Sequence, residues 1–535
     1  MKTFKLVNGS QAQVAEYTEQ DIHEYQNPLI EALPPIFSQQ EVIDHLSFYP
    51  AYRKEERYLE DYKRVHLIQR VLYYFQPLPL HLQLYSSIDR LLRSGYVSRN
   101  PLSNSYAQGF VDNSHKVVNK TFDKSALQTG QTMSVIGISG VGKTRSLQRI
   151  LDMYPKVISH TQYKGKPLNM YQVTYLTIQA PFDGSVKTII YDFMYQVDLL
   201  MGTNYFNRYA NSRLSTSQLM PIIAQIARSA NLGCLIIDEI QHLKAIKSKS
   251  STQILNFFTT LINTVNIPVI MVGTPKSMDI LQSQFRQARR NTNIGNVIWN
   301  RLEKDEIWEL FIQGMWKYQW TKEIAPYNEE FSTVLYQESQ GIADIALKLY
   351  MMVQLRAIGN GGEKITIDLI NNVSKEELQI VQPMIQALKN RNYRKLADYE
   401  DLTFPNIEEF LEREQIIIDQ KQIMKSLKQG VDRNNMRLKL VDDAVFRLGI
   451  LGIDEKIARD TVSKIISQNS DDTVLHDVVR KAFNLTNPSE TTEQTLPNKD
   501  FREIVKDGRE SGLSAYQSLK DAGFIKEDYP VRDVS

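Results

Sequence analysis

At 535 residues the chain exceeds what one ordinary hydrophobic core supports, so two to four units are expected. Its 42% hydrophobic and 23% charged content suits a soluble globular protein, and no apolar run is long enough to cross a membrane. A formal net charge of +2 excludes a global pull towards nucleic acid, and a single cysteine, Cys234, excludes an internal disulfide and reads as packed core.

The N-terminus has no apolar centre of a signal peptide, so a cytoplasmic protein is expected. From Leu6 to Tyr52 there is no Lys or Arg, while Glu16, Glu19, Asp21, Glu24, Glu31, Glu41 and Asp44 are acidic. Such a segment repels phosphate and reads either as a protein-docking arm or as a solvated acidic face. Turn punctuation in "YQNPLIEALPPIF" and helical spacing in "HLQLYSSIDRLLRSG" extend this arm into a helical extension ending near residue 118.

Over 119–302 short apolar runs alternate with helical ones: "SVIGI" (134–138), "QVTYLTIQ" (172–179), "GCLIID" (233–238), "PVIMVG" (268–273) and "NVIWNRL" (296–302). Buried strands separated by helices predict an α/β core with a parallel sheet. Over 303–395 the spacing turns helical, as in "IADIALKLYMMVQLRAI", and a C-terminal helical region follows over 396–485. Within it "AVFRLGILGIDEKIARDTVSKII" (444–466) reads as a packed helical pair. Residues 486–500 are polar and Pro-interrupted, a linker, and 501–535 read as an interaction tail.

Residues 137–144, "GISGVGKT", fit G-x-x-x-x-G-K-[ST] between an apolar strand and a helical run. The pattern predicts a nucleotide site formed by Gly137, Ser139, Gly140, Val141, Gly142, Lys143, Thr144 and Arg145. The glycines Gly137, Gly140 and Gly142 let backbone N–H groups curl around phosphate oxygens, at the positive end of the next helix. Lys143 is expected on the β and γ phosphates of ATP, and Thr144 on Mg²⁺. In "CLIIDEIQHL", Asp238 ends a strand where it can hold the same metal, and Glu239 can act as general base towards water. Adjacent carboxylates at a strand end are poorly explained by packing, because burying one costs several kcal/mol. Hydrolysis is therefore expected, with Thr274 after the next strand placed to touch the terminal phosphate or the water.

This order, with one strand inserted before the carboxylates and a polar residue ending the next, resembles the AAA+ ATPases. The resemblance implies a sheet of order 5-1-4-3-2, a helical lid after the fifth strand, and an arginine supplied by a neighbouring subunit. In "FRQARRNTN", Arg289 and Arg290 are the candidates for that arginine, Arg286 less so, with a solvated basic helix end as the plainer reading. The lid also departs from the family pattern. In "SQGIADIALKLY", Asp344 stands where a basic residue would help, and Lys348 is the only substitute nearby.

Beyond the ATPase motifs, "NPLIEALPPI" (27–36), "YFQPLPLHLQL" (74–84), "SGYVSRNP" (94–101), "ILNFFTTLIN" (254–263), "VGTPK" and "VQPMIQALKNR" (381–391) resemble the TnsC regulators of the Tn-seven family of transposons. The likeness runs from about residue 25 to 410. It implies an ATPase that cuts no DNA, assembles as rings or filaments on double-stranded DNA, links a target-selector protein to transposase subunits, and disassembles on hydrolysis. A ring around duplex needs only backbone contacts. Ser185 and Lys187 in "APFDGSVKTII", and Lys244, Lys247 and Lys249 in "HLKAIKSKSS", fit that need, although exposed lysines are often merely solvated. The alternatives are a replication-initiator or helicase-loader ATPase, a membrane-linked ExeA-like ATPase, and a scaffold with a dead site. No Gly-turned β-wing is legible after residue 400, which weighs against the loader.

Overall fold

The computed structural model describes residues 2–103, 106, 131–182, 185–210, 212–245, 262, 266–278, 293–390, 407–468, 474–486 and 501–521. Its contacts divide the chain into two units, Met1–Gln420 and Lys421–Ser535.

In chain order the strands are β1 (Thr3–Lys5), β2 (Gln11–Val14), β3 (Thr132–Gly137), β4 (Val157–Tyr163), β5 (Lys166–Val173), β6 (Tyr175–Gln179), β7 (Cys234–Asp238), β8 (Val269–Gly273) and β9 (Asn293–Trp299). Five of them form one parallel sheet in the order β6-β7-β8-β3-β9. Counted within that sheet and read from β9, this is the expected 5-1-4-3-2. Strands β3, β7 and β8 are buried along their whole length, as helices on both faces require. Cys234 has no exposed surface, and burial pushes its thiol up to about 12, so it is an inert core residue.

The stretch 172–179, read above as one strand, is two. β5 ends at Val173 and belongs to a second sheet of order β1-β2-β4-β5, while β6 starts at Tyr175 in the main sheet. The hairpin of β4 and β5 turns on Lys164 and Gly165, at φ 47° and 77°, the left-handed pair that two-residue hairpins prefer. The last strand also begins earlier than expected, at Asn293, and ends at Trp299.

The acidic arm is not a free end. β2 pairs in parallel with β4, and Leu29, Ile30, Leu33, Val42 and Leu46 are buried in the cluster that holds Val135, Ile236 and Ile270. Asn8 Nδ2 donates to the Leu199 carbonyl at 2.7 Å, and Ser10 Oγ to that of Leu200 at 2.8 Å, at the C-terminal end of helix Val186–Met201. Glu31 is buried, whereas Glu16, Glu19, Asp21, Glu24, Glu41 and Asp44 are exposed. A solvated acidic face on a folded segment is the reading that fits.

The lid is built from helices Glu306–Trp316, Glu329–Ser339, Ala343–Asn360, Ile367–Glu377 and Gln382–Lys389. Its core takes in Val65, Ile68, Val71 and Tyr74 from the N-terminal extension. Arg64, fully buried in this joint, donates to Glu363 at 2.6 and 2.7 Å, to Asp61 at 2.5 Å and to the Trp320 carbonyl at 2.9 Å. Each of the four tryptophans places its indole N–H on an oxygen: Trp299 on Val141, Trp308 on Ser332, Trp316 on Ala325 and Trp320 on Glu56.

The second unit has its own small core, in which Ala444, Val445 and Leu448 meet Ala458, Val462, Val478 and Ala482. The 444–466 pattern is thus packing, as read. Among the described residues after 406 the elements are helices, with no wing-like hairpin. No helix among the described residues is long and apolar enough to cross a membrane.

Candidate nucleotide site

The phosphate loop joins β3 to helix Lys143–Leu151. Gly140 and Gly142 sit at φ 79° and 97°, where side chains are strained, so glycine is needed there to turn the backbone. Gly137 has a different task from the one expected. It ends β3, and a Cβ there would lie 2.2 Å from the Trp299 carbonyl oxygen, so its hydrogen lets β9 approach. Ser139, Gly140, Val141, Gly142, Lys143, Thr144 and Arg145 line a cavity of about 470 Å³.

Lys143 Nζ donates to the carbonyls of Gly137 at 2.7 Å and Ile138 at 2.9 Å. Thr144 Oγ1 donates to Asp238 Oδ2 at 2.9 Å. Asp238 is 7% exposed, and that burial pushes its carboxyl above the usual carboxylate range. Hydrogen bonds from Thr144 and from the Glu239 N–H, the latter at 2.8 Å, pull the other way. A buried carboxylate beside a hydroxyl fits Mg²⁺, which keeps several waters and takes only one or two protein ligands besides phosphate. No cage of three or more His, Cys, Asp or Glu side chains occurs among the described residues.

Glu239 follows at φ 56°, a left-handed conformation uncommon for a side chain of this kind. Its carboxylate lines the cavity and accepts from Gln241 Nε2. Thr274, 3% exposed, follows β8, and its hydroxyl has no hydrogen-bond partner among the described residues. An orphaned buried hydroxyl costs about 1–3 kcal/mol, so it marks a place where a ligand oxygen is welcome.

Sequence reasoning missed the far wall. Tyr74, Phe75, Gln76, Leu78 and His81 of the N-terminal extension line the cavity opposite the loop, with Trp299 beside them. The available signal was "YFQPLPLH", an aromatic and proline run that was read only for its resemblance. Arg145 donates to the Tyr74 carbonyl at 3.3 Å and lies over the Phe75 ring, which ties loop to extension. Arg301 after β9 and Ala343 and Asp344 of the lid complete the wall, and the Asp344 N–H donates to the Gly140 carbonyl at 3.3 Å. Lys348 Nζ lies 2.6 Å from Asp344 Oδ2, so the unexpected lid carboxylate is paired.

His81 Nδ1 accepts the Leu78 N–H at 2.8 Å, and burial between Phe75 and Trp299 pushes its pKa down to about 4 from 6.5. The unfolded chain therefore takes up a proton between pH 6.5 and 4 that the folded chain refuses, so stability is lost as pH falls through that window. The loss from this group is about 3 kcal/mol. Buried His160, also depressed by burial, acts with the same sign. His81→Asn, which keeps an acceptor for Leu78, should flatten the fall in urea midpoint between pH 7 and 4.5. An unchanged slope would show that His81 is not its source.

Of the expected DNA residues, Ser185 caps helix Val186–Met201, its Oγ accepting the Thr188 N–H, and Lys187 lies 5.5 Å over the Tyr191 ring. Lys244 falls in the helical turn Ile240–Ala245. Lys247, Lys249, Arg286, Arg289 and Arg290 lie outside the described residues.

The phosphate loop, the two carboxylates and the polar end of β8 all fall within residues 126–281, which match the family model described as an AAA domain. These residues are an AAA domain. With the sheet order above, the AAA+ P-loop ATPase fold and its capacity for nucleotide follow. No curated protein matches the chain. Solved structures similar to it include a Walker-type ATPase of Pyrococcus abyssi, 14% identical over 54% of this chain and 76% of its own, TM-score 0.31. The Aeropyrum pernix ORC2 protein is 12% identical over 60% and 96%, TM-score 0.32. Drosophila ORC bound to DNA is 13% identical over 63% and 84%, TM-score 0.32. The AAA domain assignment rests on the family match and the sheet, and these structures add no argument to it.

Proposed function

We propose that the chain is an ATP-hydrolysing switch that assembles on duplex DNA and regulates transposition, in the manner its resemblance to TnsC implies. The observation that carries the enzymatic part is the Thr144–Asp238 pair at the phosphate loop and Glu239 on the cavity which that loop lines, with the unpartnered Thr274 hydroxyl one residue past Gly273, which pairs with Ile136 of β3. Bound Mg²⁺ would neutralise charge building on the phosphate oxygens. Thr144 and Asp238 would hold it. Lys143 binds the β and γ phosphates, and Thr274 orients the terminal one. Glu239 accepts a proton from water as the water oxygen bonds to the γ-phosphorus and the bridging oxygen leaves with ADP. Arg289 or Arg290 of a neighbouring subunit supplies the remaining cation.

The motifs spread over residues 25–410, well beyond the AAA domain, support the transposition reading. In it, ATP-bound subunits form rings or filaments on DNA through backbone contacts from Ser185, Lys187, Lys244, Lys247 and Lys249. They join a target selector to transposase subunits in the cytoplasm, and hydrolysis ends the assembly. A replication initiator or helicase loader is the second reading, and it is favoured less, since the described residues after 406 hold helices and no wing-like hairpin.

The test is negative-stain electron microscopy of the protein with duplex DNA under ATP, a slowly hydrolysed analogue, ADP and no nucleotide. Rings or filaments with ATP and the analogue alone are expected. Monomers throughout, or assembly indifferent to nucleotide, would end the proposal.

A further inference from the structure

Gln241 sits two residues past Glu239 in the turn Ile240–Ala245 and is 8% exposed. Its Oε1 accepts the backbone N–H of Thr274 at 3.1 Å. A backbone N–H can only donate, so that contact fixes which end of the amide is oxygen. Nε2 must then be the atom on Glu239 Oε2, to which it donates. The amide has room because the neighbouring residue on β8 is glycine: a Cβ on Gly273 would lie 3.0 Å from Gln241 Oε1 and 2.6 Å from Ile240 Cγ1. One neutral side chain therefore spans from the carboxylate that follows β7 to the residue that follows β8 and carries the unpartnered hydroxyl.

We propose that Gln241 is a positioning residue that holds the Glu239 carboxylate in register with Thr274. With Oε2 tied to the amide, the rotation of the carboxylate is fixed, and Oε1 is the oxygen left to take the proton from water. Thr274 is the anchor of that amide. A shift of β8's end, made when the Thr274 hydroxyl engages a terminal phosphate, therefore moves the base as well. Packing alone would explain a buried side chain here, but an apolar one would fill the slot without burying two polar atoms. This inference rests on the hydrolysis reading above.

The test compares wild type, Glu239→Gln, Gln241→Met, Gln241→Glu, Thr274→Ala and the Thr274→Ala/Gln241→Met double variant. Steady-state hydrolysis is measured beside binding of a fluorescent ATP analogue. Gln241→Met, of similar volume, should lower kcat by about tenfold or more with analogue affinity within about twofold of wild type. Gln241→Glu keeps an acceptor for Thr274 but has no donor for Glu239, and should do no better. The double variant should cost less than the product of the two single losses, because Gln241→Met already cuts the path from the Thr274 hydroxyl to the base, while the hydroxyl's own contact with phosphate is lost in either background. A Gln241→Met kcat equal to wild type, a kcat loss matched by lost analogue binding, or multiplying losses in the double variant would each overturn the proposal. If wild type hydrolyses no faster than Glu239→Gln, the hydrolysis reading falls and takes this one with it.

Discussion

Glu239→Gln should bind ATP as wild type does and hydrolyse it about 10²- to 10⁴-fold more slowly. The substitution conserves shape, so the turn at φ 56° and the packing around β7 are kept, and the introduced side-chain oxygen can still accept from Gln241. What is lost is the group able to take a proton from water. Nothing in the phosphate cradle changes: Lys143, the Thr144–Asp238 pair and the glycine-turned loop are untouched. Binding and chemistry should therefore separate, with hydrolysis gone and analogue affinity within about twofold. On duplex DNA the assemblies formed with ATP should persist for hours, where those of wild type decay as ATP is consumed. Phosphate release and timed negative-stain grids give the two readouts. A variant that hydrolyses at the wild-type rate would remove Glu239 from the mechanism. One that hydrolyses nothing, yet whose assemblies decay like wild type, would sever hydrolysis from disassembly.

Lys143→Ala should weaken ATP binding at least about a hundredfold, or about 3 kcal/mol. Lys143 is 9% exposed and its ammonium is held against the carbonyls of Gly137 and Ile138, so its position beside the loop is set before nucleotide arrives. A fixed cation in a site screened from water interacts with phosphate more strongly than a solvated one, and its removal leaves phosphate charge uncompensated. The same change leaves two carbonyls without this donor, so a loss of about 1–3 kcal/mol in stability is expected alongside. Titration with a fluorescent ATP analogue and a urea melt separate the two effects. Wild-type affinity in a folded variant would mean that the loop does not bind triphosphate as described.

The candidate site was legible because its motifs lie in short, contiguous spans. "GISGVGKT" and "LIIDE" each carry their residues within eight positions, where strand and helix periods dictate orientation. The 5-1-4-3-2 sheet was reached through resemblance and holds in the structure, as do the helical lid and the packed 444–466 pair. Three things were misread, and each depends on partners distant in sequence. Gly137 looked like part of the phosphate cradle, but its glycine answers to Trp299, 162 positions on. The acidic arm was read without its anchorage, in which Asn8 and Ser10 meet carbonyls some 190 positions away. Residues 172–179 looked like one strand because the apolar run does not break at Thr174, where the chain passes from one sheet to the other.

By itself, then, the sequence singled out the residues proposed to bind phosphate and metal and the carboxylate proposed as base. Those roles follow from side-chain chemistry at fixed local spacing. Only the tertiary structure decided what closes the cavity and what the Glu239 carboxylate is bonded to. The aromatic wall of the N-terminal extension, the Asp344 contact to the loop and the Gln241 bridge bring together residues tens to hundreds of positions apart. Such meetings are selected by burial of apolar surface and by the need to satisfy buried polar atoms across the whole fold. No local period records them.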